Sequence, residues 1–344
     1  MRTLASPDDR PLTGLAESTP LRLLILFVIL LFAATLSLGS GPASLSLASI
    51  FDALVGRGDP LTRTILIDLR LPRALLALLV GGGLAMSGAV FQALLRNPLA
   101  DPYVLGVSGG AAVGAVTAII AGLVSVAAWS LPLAAFAGAV LAIGLVFLVA
   151  ARAGRTFDTR ILLLAGVVVG AFFNALILLL LTFANLETFR SAVFWMMGSL
   201  LDAGWGTVLL AAAYVLPLSV ALATLARALN LLALGDDTAL FLGTRVEHVK
   251  IATYLIASLL VAATVAACGV IGFVGLIVPH ALRMVWGSDH RFLLPASFLA
   301  GAAFLLLADT AARTVAAPAE LPVGVITALV GVPLFIVILV RSRR

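Results

Sequence analysis

The sequence predicts an all-α integral membrane protein with ten transmembrane helices per protomer, and three observations predict it. The 344-residue chain is 62% hydrophobic and 11% charged, with a mean hydropathy of +1.21. Its apolar runs are about 20 residues long, the length a helix needs to cross a hydrocarbon core of about 30 Å. The alternating ten-residue pattern of an outer-membrane strand is absent, and in lipid only helices or closed barrels satisfy their own backbone.

Spans are expected at about 21–39, 73–94, 104–125, 130–151, 160–182, 206–226, 249–268, 270–286, 292–316 and 322–340. An even number places both termini on one side. With that side cytoplasmic, only six of the twenty-one basic residues (Arg57, Arg63, Arg70, Arg73, Arg190 and Arg313) face outward, the bias expected of loop arginines. The net charge of +5 therefore reports orientation rather than a nucleic-acid partner. Residues 1–20 carry acids and prolines ahead of an apolar run too long for a signal peptide. They are read as a cytoplasmic tail, and residues 21–344 as a single transmembrane domain.

Taken in order, the stretch SLSLASIFDALVG at 44–56 has the pattern of a short interfacial amphipathic helix. It is followed by RLPR at 70–73, where Pro72 suits the first turn of the second span. Arg70 and Arg73 would flank that turn at the outer surface, where arginines commonly snorkel to lipid headgroups. The second span contains Gly81, Gly83, Ala85, Ser87 and Gly88, small residues that let a neighbouring helix approach closely. Asn97-Pro98 and Asp101-Pro102 then break the helix on the cytoplasmic side.

The fifth span puts Gly166 and Gly170 on one face, with Asn174 one turn further. Asn174 fits either an interhelical hydrogen bond or a polar path. Phe172 and Phe173 fit either a path for a large apolar solute or the core. Residues 229–248 include Asp236, Asp237, Arg245, Glu247 and His248, too many ionisable groups for the hydrocarbon core, so the stretch lies in water. Within it, two short apolar clusters separated by Gly235 and closed by Gly243 predict two short helices. They form either a docking surface or a hairpin packed back on the membrane domain. Residues 269–283 combine glycines with Pro279 and predict a kinked or interrupted span. Asp309 and Arg313 lie four residues apart, on one helical face near the outer end, and should pair.

Several chemistries are missing. No Gly-x4-Gly-Lys motif is present, because the only lysine, Lys250, follows Val249, so phosphate-loop ATP hydrolysis is excluded. No nucleophile triad, carboxylate pair or HExxH sequence stands out, so an enzyme is not expected. His248, His280 and His290 are too scattered for a metal site, and no cofactor is implied. Cys268 is the only cysteine. Asp309 is the only acid well inside a predicted span, whereas a proton-driven carrier would be expected to keep carboxylates at mid-membrane.

Six stretches together carry a resemblance. They are RLPRALLALLVGGGLAMSGAVFQALLRNPLADPYVLGVS, RILLLAG, FWMMGSL, LNLLALGDDTALFLG, GVIGFVGLIVPHALR, and LLLADTAAR through ELPVGVITALVGVPLF. In this order, from about residue 66 to the C-terminus, they resemble the iron-chelate and cobalamin permeases of bacterial ABC importers. The resemblance implies type II importer architecture in the bacterial inner membrane: a homodimer of ten-span protomers, both termini cytoplasmic, embedded in lipid.

The implied partners are two copies of a cytoplasmic ATP-binding subunit and a periplasmic substrate-binding protein. By similarity, 229–248 corresponds to the coupling helices, with Asn230, Leu234, Gly235, Asp236, Asp237, Ala239 and Gly243 at the ATPase contact. Arg70, Arg73 and Arg313 match the positions that dock acidic residues of the binding protein. Asn97, Pro98 and Leu99 match one cytoplasmic gate. Asp158 and Thr159 match the other, although that turn lacks the Ser/Thr richness of the vitamin B12 permeases. Phe172, Phe173 and Asn174 fall on the span that lines the path. The implied cargo is a large iron chelate, a ferric siderophore or haem, with cobalamin as the alternative. An ion-gradient carrier working alone is the competing class.

Overall fold

The computed structural model describes residues 18–41, 45–127, 129–153 and 158–341, which lie in helices and their connections with no β-strand among them. The tail expected at 1–20 falls outside these residues as far as position 17. In chain order the α-helices are α1 (Thr19–Gly39), α2 (Leu47–Leu54), α3 (Pro60–Thr64), α4 (Leu71–Leu94), α5 (Val107–Ile120) and α6 (Leu123–Val126). Then come α7 (Ser130–Ala153), α8 (Thr159–Thr182), α9 (Leu186–Met196), α10 (Trp205–Thr224), α11 (Ala226–Ala233) and α12 (Asp236–Phe241). The chain ends in α13 (Val246–Cys268), α14 (Val274–Trp286), α15 (His290–Thr314) and α16 (Val323–Arg341). Among the described residues, seven helical runs are long and apolar enough to cross a membrane, and α5, α14 and most of α16 form three shorter apolar helices.

The core is built around α4, which is buried on every side from Ala74 to Leu94 except at Leu75 and Leu78. A helix that is apolar all round is one enclosed by others. Here the neighbours are α10, α13, α14 and α15. Small residues set the distances: a Cβ on Gly81 would collide with the carbonyl of Gly301, and one on Gly88 with that of Gly275. The same device joins α5 to α7, where Gly110 meets Gly138 and Gly114 meets Ala134. By contrast, α1 buries only Leu26, Leu30, Ala33 and Ser37, one stripe at helical spacing laid on α15.

Three expectations about boundaries are corrected. The second span does not begin at Pro72, because the helix runs unbroken from Pro60 through Leu94. It passes Pro72 by way of a π turn at Ile65–Arg70, in which the Leu71 N–H reaches back five residues to Leu66 O. That spacing accommodates a proline that cannot supply the usual bond. Trp205 Nε1 donates to Ile67 O within this turn at 3.1 Å.

The span expected at 270–286 becomes helical only at Val274, since Gly269 (φ 74°) and Phe273 (φ 68°) adopt left-handed dihedrals. The interrupted backbone is satisfied internally: Tyr103 Oη donates to Ile271 O (3.0 Å) and accepts from Ile271 N (3.2 Å). The span expected at 104–125 is trimmed to α5 by Gly106 at one end and Gly122 at the other, both left-handed. Finally, α9 was not anticipated at all. Asn185 caps it by accepting from Thr188 N at 2.9 Å.

Candidate functional site

Three groups of residues could carry function. The first is a buried ionic cluster where α4, α15 and the end of α1 meet. Arg73 grips Asp309 side-on, Nε at 3.0 and 3.1 Å and Nη2 at 2.9 Å, and its Nη1 donates to Glu320 Oε2 at 2.8 Å. Arg313 Nε donates to Asp309 Oδ2 at 3.1 Å, the pairing expected from their four-residue spacing. Its other nitrogens donate to Ser37 O, Ser37 Oγ and Ser40 O at 3.0–3.1 Å. Arg70 Nη1 donates to Leu38 O at 2.7 Å, and Gly41 lies against both the Arg70 and Arg313 guanidiniums.

Asp309 is fully buried, and Arg70 and Arg313 are 7% and 5% exposed. The arginines expected at the outer surface are thus drawn inside. Two guanidiniums, Arg73 and Arg313, share the Asp309 carboxylate, and Arg73 also takes Glu320, with Arg70 held nearby on the Leu38 carbonyl.

The second group is the pair of short helices. Gly235 (φ 118°) and Gly243 (φ 81°) occur where the sequence puts helix ends, each in a backbone conformation that glycine adopts without strain. Leu229 and Leu232 of α11 and Ala239 of α12 face the protein's own core. Leu234, Leu240, Leu242 and Phe241, the last 90% exposed, form an apolar patch in the polar 229–248 stretch. Asp237 and Gly243 are exposed, and a Cβ on Gly243 would meet nothing.

The pair is tied down at two points. Asn230 Nδ2 donates to Asp289 Oδ1 (2.7 Å), and Asn230 Oδ1 accepts from His290 N (2.9 Å). Asp236 is held by Arg96 and by Lys250 Nζ (2.6 Å). The Asn230 amide, aided by the Arg291 N–H, holds the Asp289 carboxyl below the usual carboxylate range. At Asp101, which caps the turn ahead of α5, burial pushes the carboxyl up and the Tyr103 N–H opposes it.

The third group concerns passage. Residues 97–99 form an exposed turn, stiffened by Asn97 Oδ1 accepting from Leu99 N at 3.0 Å. Asp158 caps α8 through Arg160 N at 2.8 Å, with Thr159 beside it. The three expected path residues are split by the rotation of α8. Phe172 (59% exposed) and Asn174 face outward, while Phe173 (2%) packs inward on Gly109. Gly166 and Gly170 pack on the loop at Leu105 and Gly106.

Sequence reasoning missed an open apolar cavity of about 560 Å³ between α9, the 270 region and α16, lined by Met196, Met197, Val270, Gly324 and Leu329 among others. The adjacent methionines were its signal, since Met suits adaptable apolar surfaces. It also missed Arg96, Lys250 and Glu320 as ionic partners. Among the described residues, no group of three His, Cys, Asp or Glu could hold a metal ion.

Comparison with known proteins gives a consistent result. The sequence model of the FecCD transport family matches residues 28–341. The hemin transport system permease protein HmuU of Yersinia pestis is 42% identical over 336 residues, covering 94% of this chain and 97% of that one. The vitamin B12 import system permease protein BtuC of Shigella boydii is 42% identical over 322 residues, covering 94% and 95%. A solved metal-chelate type ABC transporter in an inward-facing conformation superposes with a TM-score of 0.86 at 37% identity, covering 94% of this chain and 99% of that one.

Proposed function

This chain belongs to the FecCD transport family, and on that premise we propose that it is the membrane-spanning permease subunit of an ATP-driven importer. It carries a large iron chelate, a ferric siderophore or haem, from periplasm to cytoplasm. The three short apolar helices complete ten spans with the seven long ones, residues 1–20 are a cytoplasmic tail, and both termini face the cytoplasm of a bacterial inner membrane. Residues 21–344 form one permease domain. Two copies of the chain pair, and the exposed apolar faces of α8 and α16 supply surface for that pairing.

The observation that carries this reading is the apolar patch of Leu234, Leu240, Phe241 and Leu242. A chain with no phosphate-binding loop of its own presents a greasy surface in water, which suits a separate ATPase subunit seating there. Asn230, Leu234, Gly235, Asp236, Asp237, Ala239 and Gly243 build that contact. Ala239 supports it from below, and Gly243 leaves open room above. On the outer side, Arg70, Arg73 and Arg313 receive acidic residues of a periplasmic binding protein. Between the two, Phe172 and Asn174 line the path with Phe173 behind them, and Asn97, Pro98, Leu99, Asp158 and Thr159 close its cytoplasmic end. Cobalamin is the alternative cargo, supported by a vitamin B12 permease at the same 42% identity as the hemin permease.

The test is a mild-detergent pull-down of the tagged chain from its native membrane, with subunit masses and stoichiometry read by mass spectrometry. The expected assembly is two permeases with two ATPase subunits. Vesicles containing the chain alone that took up chelate on an ion gradient would replace this reading with a secondary carrier.

A further inference from the structure

We propose that Arg96, Asp236 and Lys250 form the linkage through which α11 and α12 move the turn at residues 97–99. The inference rests on the reading of α11 and α12 as the seat of an ATPase subunit. Arg96 directly follows the C-cap of α4 and has a φ of 48°, a left-handed conformation that L-residues other than Gly, Asn and Asp rarely adopt. In that conformation its guanidinium reaches both short helices, Nε donating to Leu232 O at 3.2 Å and Nη2 bonding Asp236 Oδ1. Asp236 is the first residue of α12, and its other oxygen takes Lys250 Nζ, a side chain only 8% exposed on α13.

One carboxylate thus joins the end of α4, the start of α12 and the flank of α13. The left-handed turn at Arg96 is that of a helix end, closed by Arg96 N–H to Ala93 O (3.2 Å) and Asn97 N–H to Gln92 O (3.1 Å), and it is the buried Lys250 that an ordinary solvated ion pair would not need.

The geometry is that of a lever. The middle of α11 is pinned to the start of α15 by the Asn230 bonds to Asp289 and His290. The joint between α11 and α12 is Gly235 (φ 118°), where a Cβ would find only Thr238 Oγ1, at 3.8 Å. Displacement of α12 therefore moves Asp236 more than Asn230. The pull on Arg96 passes straight to Asn97, whose N–H is bonded to Gln92 O at 3.1 Å and whose side chain holds Leu99 N. Release of Arg96 to an ordinary right-handed conformation would swing the residues that follow it. Arg96 and Lys250 act here as positioning residues and need no contact with cargo or nucleotide.

The experiment uses the permease assembled with its own ATPase subunit in nanodiscs, carrying a nitroxide on Leu99→Cys. The native Cys268 is buried, so labelling falls on the introduced site. Pulsed electron paramagnetic resonance reads the distance between the two copies of the label, without nucleotide and with ATP plus vanadate. The parent should shift its distance distribution when nucleotide binds. Arg96→Ala should lower the shifted population about fivefold, the low end of typical coupling between sites. ATP hydrolysis without cargo should persist in that variant, and Arg96→Lys should restore the shift.

A full nucleotide-driven shift in Arg96→Ala overturns the linkage. If that variant does not assemble, Lys250→Met, which frees Asp236 from α13, takes its place under the same two outcomes. Failure of the parent to retain any ATPase subunit would bring down the functional reading itself, and this inference with it, before any variant is compared.

Discussion

Asp309→Ala removes the one carboxylate shared by two buried arginines, and its effect can be worked from the geometry. The carboxylate is fully buried and meets Arg73 at 2.9 Å and Arg313 at 3.1 Å. Breaking a buried pair by truncating one partner costs about 3–5 kcal/mol, chiefly because the remaining charge is left uncompensated. Here Glu320 still holds Arg73 at 2.8 Å, and the Ser37 and Ser40 carbonyls still hold Arg313, so the lower end, about 3 kcal/mol, is expected. At roughly 2 °C per kcal/mol for a large chain, the apparent melting temperature should fall by about 6 °C. Thermal unfolding of the purified permease in mild detergent, followed by tryptophan fluorescence, reads this directly. The triple variant Asp309→Leu, Arg73→Met, Arg313→Leu should recover part of the loss, since it strands no buried charge and leaves only the partly exposed Glu320 without Arg73. A melting temperature for Asp309→Ala within about 1 °C of the parent would show that the cluster is not what joins α4 to α15.

Four further outcomes are expected. Gly88→Val should abolish accumulation of folded protein because its Cβ would overlap the Gly275 carbonyl, whereas Gly144→Ala, with open space around it, should be neutral or stabilising by about 0.5 kcal/mol; detergent melting compares the two. Phe241→Asp should reduce co-purification of the ATPase subunit at least about tenfold, since it places a charge in the middle of the exposed apolar patch; immunoblotting of the pull-down reads it. Arg70→Gln should weaken docking of the loaded binding protein about fivefold at low salt and less at high salt, measured by surface plasmon resonance. It is a cleaner test than changing Arg73, whose loss would also break ion pairs to Asp309 and Glu320.

The Asp289 carboxyl lies below its unfolded value, so its stabilising bond to Asn230 is fully present above pH about 4 and is lost as pH falls through the lower folded value. The melting difference between the parent and Asp289→Asn should therefore persist from pH 7 to 5 and shrink as the pH falls below about 4.

What the sequence reveals and what it hides divide along physical lines. The short helices at 229–248 were legible because Gly235 and Gly243 mark local backbone requirements and the charges exclude lipid. The Asp309–Arg313 pairing was legible because it is local. The stronger grip of Arg73 on Asp309 was not, because the two are 236 residues apart in the chain and no periodicity registers such a contact. Helix α9 escaped notice because Glu187 and Arg190 break its hydropathy while its ends carry only a modest cap. Hydropathy also counts residues 269–273 as part of a span, although left-handed dihedrals at Gly269 and Phe273 keep them out of the helix. For Phe172, Phe173 and Asn174 the helix was predictable but its rotation was not. Rotation is set by Gly106 and Gly109, which α8 meets only after folding.

The enclosure of α4 has a consequence for how the chain is made. Its neighbours α13, α14 and α15 are among the last helices synthesised, ending at Thr314, about 220 residues after Leu94. At roughly 5–20 residues per second, α4 must wait between about 10 and 40 s for the helices that will surround it. During that interval the notches at Gly81 and Gly88 face acyl chains or a chaperoning insertase instead of protein. The most deeply buried helix of the finished permease is thus, for much of its synthesis, among the most exposed.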